Sequence, residues 1–124
     1  MAPTPILIVD DNPVNLKLVR VIVSGQDREV RGAADAAEAL ALLRTFHPRL
    51  ILMDIQLPDM DGLELTRRLK ADPATAAIPI VAVTAYAMKG DEDKMLAAGC
   101  AAYVSKPIDT RRLGALVSRL LGAP

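Results

Sequence analysis

The chain has 124 residues, 52% hydrophobic and only 2% aromatic, which suits one domain with an aliphatic core and excludes a disordered polymer. Its 15 basic and 15 acidic residues cancel, which argues against the basic surface that non-specific nucleic-acid binding needs. Cys100 is the sole cysteine, so no intramolecular disulfide forms; with no signal-peptide pattern and no apolar run near the ~18 residues of a membrane span, the expected setting is cytoplasmic.

Strand and helix signals alternate five times. Ile6–Val9 predicts a first strand, closed by Asp10-Asp11-Asn12. Pro13 suits the first turn of a helix capped by Asn12, running from about Val14 to Val23 and stopping near Ser24-Gly25. Glu29–Arg31 is a weak second strand. Asp35 caps a helix over Ala36–Arg44, and His47-Pro48 is a loop in which His47 is expected to be exposed. Leu50–Met53 is a short apolar run that predicts a third strand buried on both faces. Asp54 stands at its mouth, where a carboxylate is costly without a partner. Pro58-Asp59-Met60-Asp61-Gly62 signals a turn before a helix to about Lys70. Asp59 and Asp61 resemble fragments of a calcium loop, but the later ligands are missing and a turn is favoured. After the Asp72-Pro73 loop, Pro79–Val83 is a fourth strand. A helix from Gly90 to Gly99 follows, with Asp91, Glu92 and Asp93 near the positive end of its dipole. Ala101–Val104 is the fifth strand, and Asp109 or Thr110 caps a last helix to about Leu121. Cys100 reads as a small buried hydrophobe, and Met88 and Met95 as core or as an adaptable binding face.

This alternation predicts an α/β fold, a parallel sheet covered on both faces. Ligands of such sheets bind beyond the carboxyl ends of the strands. Polar residues gather there: Asp10 and Asp11 after the first strand, Asp54 after the third, Thr84 after the fourth, Ser105-Lys106 after the fifth. Three carboxylates on one edge repel, and some must protonate unless a cation joins them. Oxygen ligands without His or Cys favour Mg2+ or Mn2+ over zinc. A metal on Asp11 and Asp54 leaves positions open for water and phosphate oxygens. Lys106 and Thr84 add a charge and a hydroxyl, and together the set would neutralise a phosphoryl group. Asp54, flanked by the others, is the candidate nucleophile for an aspartyl phosphate. Singly, Asp10 and Asp11 are a cap and a dipole partner, Lys106 a solvated lysine and Thr84 a turn residue; the chemistry rests on the set.

In these residues the chain resembles the receiver domains of bacterial two-component response regulators, the fold typified by the chemotaxis regulator. Asp10-Asp11, Asp54, Thr84 and Lys106-Pro107 stand in order at the ends of four strands, and the resemblance covers residues 1–124 as a single receiver domain. It implies a flavodoxin-like (βα)5 doubly wound parallel sheet of order 2-1-3-4-5. It implies phosphorelay signalling in which Asp54 takes a phosphoryl group from the phosphohistidine of a histidine kinase or histidine phosphotransfer protein. Asp11, Asp54 and the backbone carbonyl of Gln56 resemble the Mg2+ ligands, with Asp10 assisting through water. Thr84 and Lys106 resemble the residues that hold the phosphoryl group, and Thr84 and Tyr103 match the two switch positions. The Lys106–Pro107 peptide is expected to be cis, feasible because the second residue is Pro. Gln56 and Tyr86 are expected to tune the phosphoryl lifetime through water access. The output surface would be the helix from Gly90, the fifth strand and the last helix.

Leu50-Ile-Leu-Met-Asp-Ile-Gln-Leu-Pro58, Ala82-Val-Thr-Ala-Tyr-Ala-Met-Lys-Gly-Asp91, Gly99-Cys100 and Tyr103-Val-Ser-Lys-Pro-Ile108 are similar to single-domain cell-division regulators, which can carry Glu where this chain has Asp10. These strings, and Asp11-Asn-Pro-Val-Asn15, also occur in receivers attached to hybrid histidine kinases. With no output domain after Leu121, the expected behaviour is that of a non-enzymatic phosphoacceptor. It would assist its own phosphorylation and dephosphorylation, and signal to downstream proteins as a monomer or weak dimer.

The first helix is more apolar than a core stripe requires. Leu18, Val19 and Ile22 share an arc expected to face the sheet, Val14 and Val21 widen it, and Leu16 and Val23 lie on another side. Either these are scattered surface aliphatics, or Val14, Leu16, Lys17 and Val21 dock the helical bundle of a kinase or phosphotransfer protein. Three rival functions are weaker. A haloacid-dehalogenase-type phosphatase needs an Asp two residues after its nucleophile, where Gln56 stands. A flavin module needs a Ser/Thr/Gly-rich loop where Asp10-Asp11-Asn12 would repel phosphate. A degenerate receiver would not keep this acidic set.

Overall fold

The computed structural model describes residues 3–24, 27–85 and 91–121. In chain order it contains β1 (Thr4–Val9), α1 (Pro13–Val23), β2 (Arg28–Ala33), α2 (Ala36–Leu42), β3 (Leu50–Asp54), α3 (Gly62–Ala71), β4 (Ile80–Thr84), α4 (Asp91–Ala98), β5 (Ala102–Ser105) and α5 (Thr110–Leu121). The strands form one parallel sheet in the order β2-β1-β3-β4-β5, the fold class and strand order expected. Every residue of β3 and β4 is buried, as their uninterrupted apolar runs require for strands covered on both faces. Alternate side chains point to opposite faces. Leu7, Val9, Ile51, Met53, Ile80 and Ala82 pack with α2, α3 and α4. Ile6, Ile8, Leu50, Leu52, Val81 and Val83 pack with α1 and α5. Among the described residues no helix is long and apolar enough to cross a membrane.

Element boundaries move where pairing overrides local preference. β2 reaches Ala33 because Gly32 and Ala33 pair with Ile8 and Val9, although neither favours a strand by itself. α2 ends at Leu42 rather than Arg44; the Arg44 and Thr45 amides turn back to the carbonyls of Ala41 and Leu42 at 3.3 and 3.1 Å, a tighter i to i−3 pattern. Pro79 lies outside β4, though its carbonyl accepts from the Ile51 amide at 3.0 Å. The Asp109 carboxylate accepts from the Arg111 and Arg112 amides, so Asp109 rather than Thr110 caps α5. Gly90 lies outside the described residues. α4 ends at Ala98 and is closed by Gly99, whose φ is 110°; the Gly99 amide bonds to the Leu96 carbonyl and the Cys100 amide to that of Met95, the pair that closes a helix through a glycine.

The orientation of α1 differs from the expected one. Val19 and Val23 are buried, and Leu16 and Ile22 pack partly against the same core. Leu18 is 40% exposed, Val21 66% and Val14 73%. At about 100° per residue, positions 14, 17, 18 and 21 share one side and 16, 19 and 23 the other. The helix is apolar on both sides, so hydrophobicity alone could not choose the inner one. Leu18 therefore faces outward and Leu16 inward.

The register brings the carboxyl ends of the strands to one rim. Val9 lies opposite Met53, Asp54 opposite Val83, and Thr84 opposite Ser105. Gly62 opens α3 against this rim: a Cβ there would stand 2.4 Å from the Asp54 carbonyl oxygen and 2.7 Å from the Ile55 Cα. Gly114, inside α5, would meet nothing within 4 Å. Gly62→Ala is thus expected to destabilise the protein by about 1–3 kcal/mol, and Gly114→Ala to stabilise it by about 0.4–1 kcal/mol. Urea unfolding midpoints check both, and a shift of the same sign in the two variants would refute the packing account.

Candidate functional site

Asp10, Asp11 and Asp54 each offer a carboxylate oxygen, and these atoms all lie within 4.8 Å of one another. Asp10 and Asp54 are 3% and 4% exposed, whereas Asp11 is exposed. Asp10 directly follows β1; its amide donates to the Ala33 carbonyl at 3.0 Å, and its Oδ1 accepts from the Asn12 amide at 2.9 Å. Asn12 in turn caps α1 through the Val14 and Asn15 amides, so strand end, carboxylate and helix start form one unit. Asp54 is the last residue of β3. Its Oδ1 accepts from the Gln56 amide at 3.0 Å, and its Oδ2 from Lys106 Nζ at 3.2 Å.

Lys106 comes to this point from the other half of the sheet. Its amide donates to the Thr84 carbonyl at 2.8 Å, and the Lys106–Pro107 peptide is cis. Nζ stands 3.2 Å from Asp54 and 3.7 Å from Asp10 Oδ2, bridging two of the three acids. Thr84 is buried at the end of β4. The structure thus brings Asp10, Asp11, Asp54, Thr84 and Lys106 to one rim.

Burial, helped by the negative Asp54 alongside, pushes the Asp10 carboxyl above its ordinary value, against the opposing pull of the Asn12 amide and Lys106. One ammonium among three carboxylates leaves negative charge uncompensated. An all-oxygen donor set with excess negative charge fits a hard divalent cation such as Mg2+ or Mn2+.

The loop after Asp54 holds two residues whose roles the sequence did not announce. Gly62 is one; its amide donates to the Ile55 carbonyl at 2.8 Å, and Gln56 bridges to Asp61 beside it. Asp59 is the other. Its two oxygens accept from the Ala36 and Ala37 amides at 2.9 and 3.0 Å, and these bonds, that of Ala36 first, hold its carboxyl below the ordinary value. Asp61 caps α3 through the Leu63 amide. A Gly opening a helix could have drawn attention to Gly62, but a contact spanning 23 residues leaves no local sequence signal for Asp59.

Other expected residues lie apart. The half-buried Tyr103 donates its hydroxyl to Glu92 of α4 and lines a groove of about 520 Å³ with Leu96, Arg112, Leu116 and Arg119. Val14, Lys17 and Val21, with Pro13 and Leu18, form a shallow apolar hollow on the outer side of α1; Leu16 turns away from it. Met95 and Cys100 are buried and His47 is exposed. Tyr86 and Met88 lie outside the described residues.

Comparison with known proteins agrees with this geometry. The response regulator receiver domain family matches residues 6–118. The polar-differentiation response regulator DivK of Brucella ovis is 47% identical over 117 residues, 94% of this chain and 95% of that protein. A solved receiver domain of the Pseudomonas aeruginosa PAO1 sensor histidine kinase PA1611, with magnesium coordinated in its active site cleft, is 34% identical with TM-score 0.87, over 98% of this chain and 100% of that one. The Mn2+-bound form of the response regulator Rcp1 is 26% identical with TM-score 0.84, over 98% and 97% of the two chains.

The raised Asp10 carboxyl has a stability consequence. Because the folded state holds this charge less readily than the unfolded chain, ionised Asp10 lowers stability above its folded pKa. The penalty fades as pH falls through that value toward the ordinary 3.8. In metal-free protein at pH 7, Asp10→Asn is therefore expected to raise the urea midpoint, with the difference narrowing in acid. A midpoint at pH 7 equal to or below that of wild type would contradict this.

Proposed function

The chain belongs to the response regulator receiver domain family, whose members serve two-component phosphorelay signalling, and on that footing we propose that Asp54 is its phosphoacceptor. The observation that carries the proposal is the placement of Lys106 between Asp54 and Asp10 within a cluster of three acids. In the proposed reaction an Asp54 carboxylate oxygen attacks the phosphorus of a phosphohistidine on a histidine kinase or histidine phosphotransfer protein. The new P–O bond replaces the P–N bond, and the imidazole leaves with its electron pair and takes up a proton. Lys106 and Thr84 hold the transferring oxygens. Asp10, Asp11, Asp54 and the Gln56 carbonyl would hold Mg2+, or Mn2+ in its place. When bound, the cation neutralises charge developing on the phosphoryl oxygens.

Asp54 phosphate then draws in the Thr84 hydroxyl, and Tyr103 leaves Glu92 and turns inward. The face of α4, β5 and α5 changes with it, a shift of an existing equilibrium rather than a new fold. Gln56 and Tyr86 govern water access and hence phosphoryl lifetime, so the protein assists its own phosphorylation and dephosphorylation. Residues 1–124 act as one cytoplasmic receiver domain, monomeric or weakly dimeric, that signals to downstream proteins without binding membrane or nucleic acid. The DivK similarity points to cell-cycle signalling by a stand-alone regulator; the similarity to the PA1611 receiver keeps a place within a hybrid histidine kinase as the second reading. The upstream partner docks on Val14, Lys17, Leu18 and Val21.

Two measurements test this. Wild type incubated with radiolabelled acetyl phosphate or a phosphorylated kinase is expected to gain label in a Mg2+-dependent way, and Asp54→Asn none; equal labelling of the two would sink the proposal. Val14→Asp is expected to slow transfer from the cognate kinase about tenfold, the effect of one well-placed interface side chain, with labelling by acetyl phosphate unchanged. Unaltered transfer from the kinase would remove α1 as the docking face.

A further inference from the structure

We propose that Asp59 is a positioning residue for the metal site, an inference that rests on the metal reading above. The loop over 55–61 leaves the rim at Asp54 and returns to it at Gly62. Its base is shut by the Gly62 amide on the Ile55 carbonyl at 2.8 Å and by the bridge between Gln56 and Asp61. Leu57 and Met60 pack partly on the core. The polar anchor of its outer part is Asp59, with one oxygen on each of the first two amides of α2, at 2.9 and 3.0 Å.

α2 does not need this for capping alone, because its own Asp35 already accepts from the Glu38 amide at 2.8 Å. What Asp59 adds is a connection. The start of α2 follows β2, and the Ala33 carbonyl at the end of β2 accepts the Asp10 amide at 3.0 Å. The Gln56 amide is bound to Asp54 at 3.0 Å. Asp59 therefore closes a ring that runs from Asp10 through Ala33, Ala36 and the loop to Gln56 and Asp54. β1 and β3 already pair side by side up to Val9 and Met53, and Lys106 bridges Asp10 and Asp54; the ring adds a tie beyond the end of that ladder, on the loop that carries Gln56. Without Asp59 the loop keeps its base and the β1–β3 ladder but loses the outer tie through α2, and the Gln56 carbonyl is set less firmly against Asp10 and Asp11.

The test separates positioning from helix capping. The full chain is titrated with Mg2+ and followed by NMR at the Asp54 and Gln56 amides. Asp59→Ala is expected to raise the Mg2+ Kd about tenfold, the lower end for losing a group that stands behind a metal ligand. Asp59→Asn, which keeps one acceptor oxygen, is expected to raise it by a smaller factor. Asp35→Ala weakens the same helix end without touching the loop and is expected to leave Kd within about twofold. A wild-type Kd in both Asp59 variants, or an equal rise in Asp35→Ala, would overturn the proposal. Absence of Mg2+ binding by wild type would overturn the metal reading and this inference together.

Discussion

The mutual repulsion of three carboxylates gathered within 4.8 Å is the constraint on which the rest of the structure depends. At an effective dielectric of about 20, two unit charges about 4 Å apart interact by about 4 kcal/mol. Lys106 offers two attractions against three repulsions, and the exposure of Asp11 weakens that residue's share. One repulsion is left over, together with the part of the Asp10 burial that the Asn12 amide and Lys106 do not offset. No local segment could hold such a cluster. The parallel sheet does so by burying β3 and β4 completely and bringing Asp10, Asp54, Thr84 and Lys106 to the same rim from β1, β3, β4 and the end of β5. The aliphatic core supplies the free energy, and the rim concentrates its cost in a few side chains.

Much of this arrangement was legible in the sequence. Continuous apolar runs mark β1, β3 and β4, and the rule that ligands bind beyond strand ends points to the rim. Legibility failed where the deciding partner is remote. Gly32 and Ala33 join a strand only because β1 lies beside them. Leu16 and Leu18 exchange sides because α1 carries apolar residues on two opposite sides and the sheet, not the helix, chooses the inner face. Gly62 matters through the Asp54 backbone, and Asp59 through amides on another helix. Each is a tertiary contact that neither composition nor periodicity encodes.

The loop between β3 and α3 shows how densely short-range polar contacts can be used. Asp54, Asp59 and Asp61 lie within eight residues, yet each accepts from different backbone amides: Gln56, Ala36 with Ala37, and Leu63. Two of the three satisfy helix starts, where a negative side chain also meets the favourable end of the dipole. Acidic residues that could have been mistaken for cation ligands instead frame the one that faces the rim. That framing leaves little slack, which is why a single missing Cβ at Gly62 is part of the architecture.

The two-sided helix α1 has an evolutionary consequence. Val19 and Val23 serve the core, while Val14, Lys17, Leu18 and Val21 lie outward. Substitutions on the two sides should therefore act nearly independently, as separated sites do. If, as proposed, the upstream partner docks on this row, a duplicated gene could accumulate changes along it and acquire a new partner while its folding and its rim chemistry stayed as they were. On that docking, parallel signalling lines in one cell would be insulated from one another by four side chains on one helix.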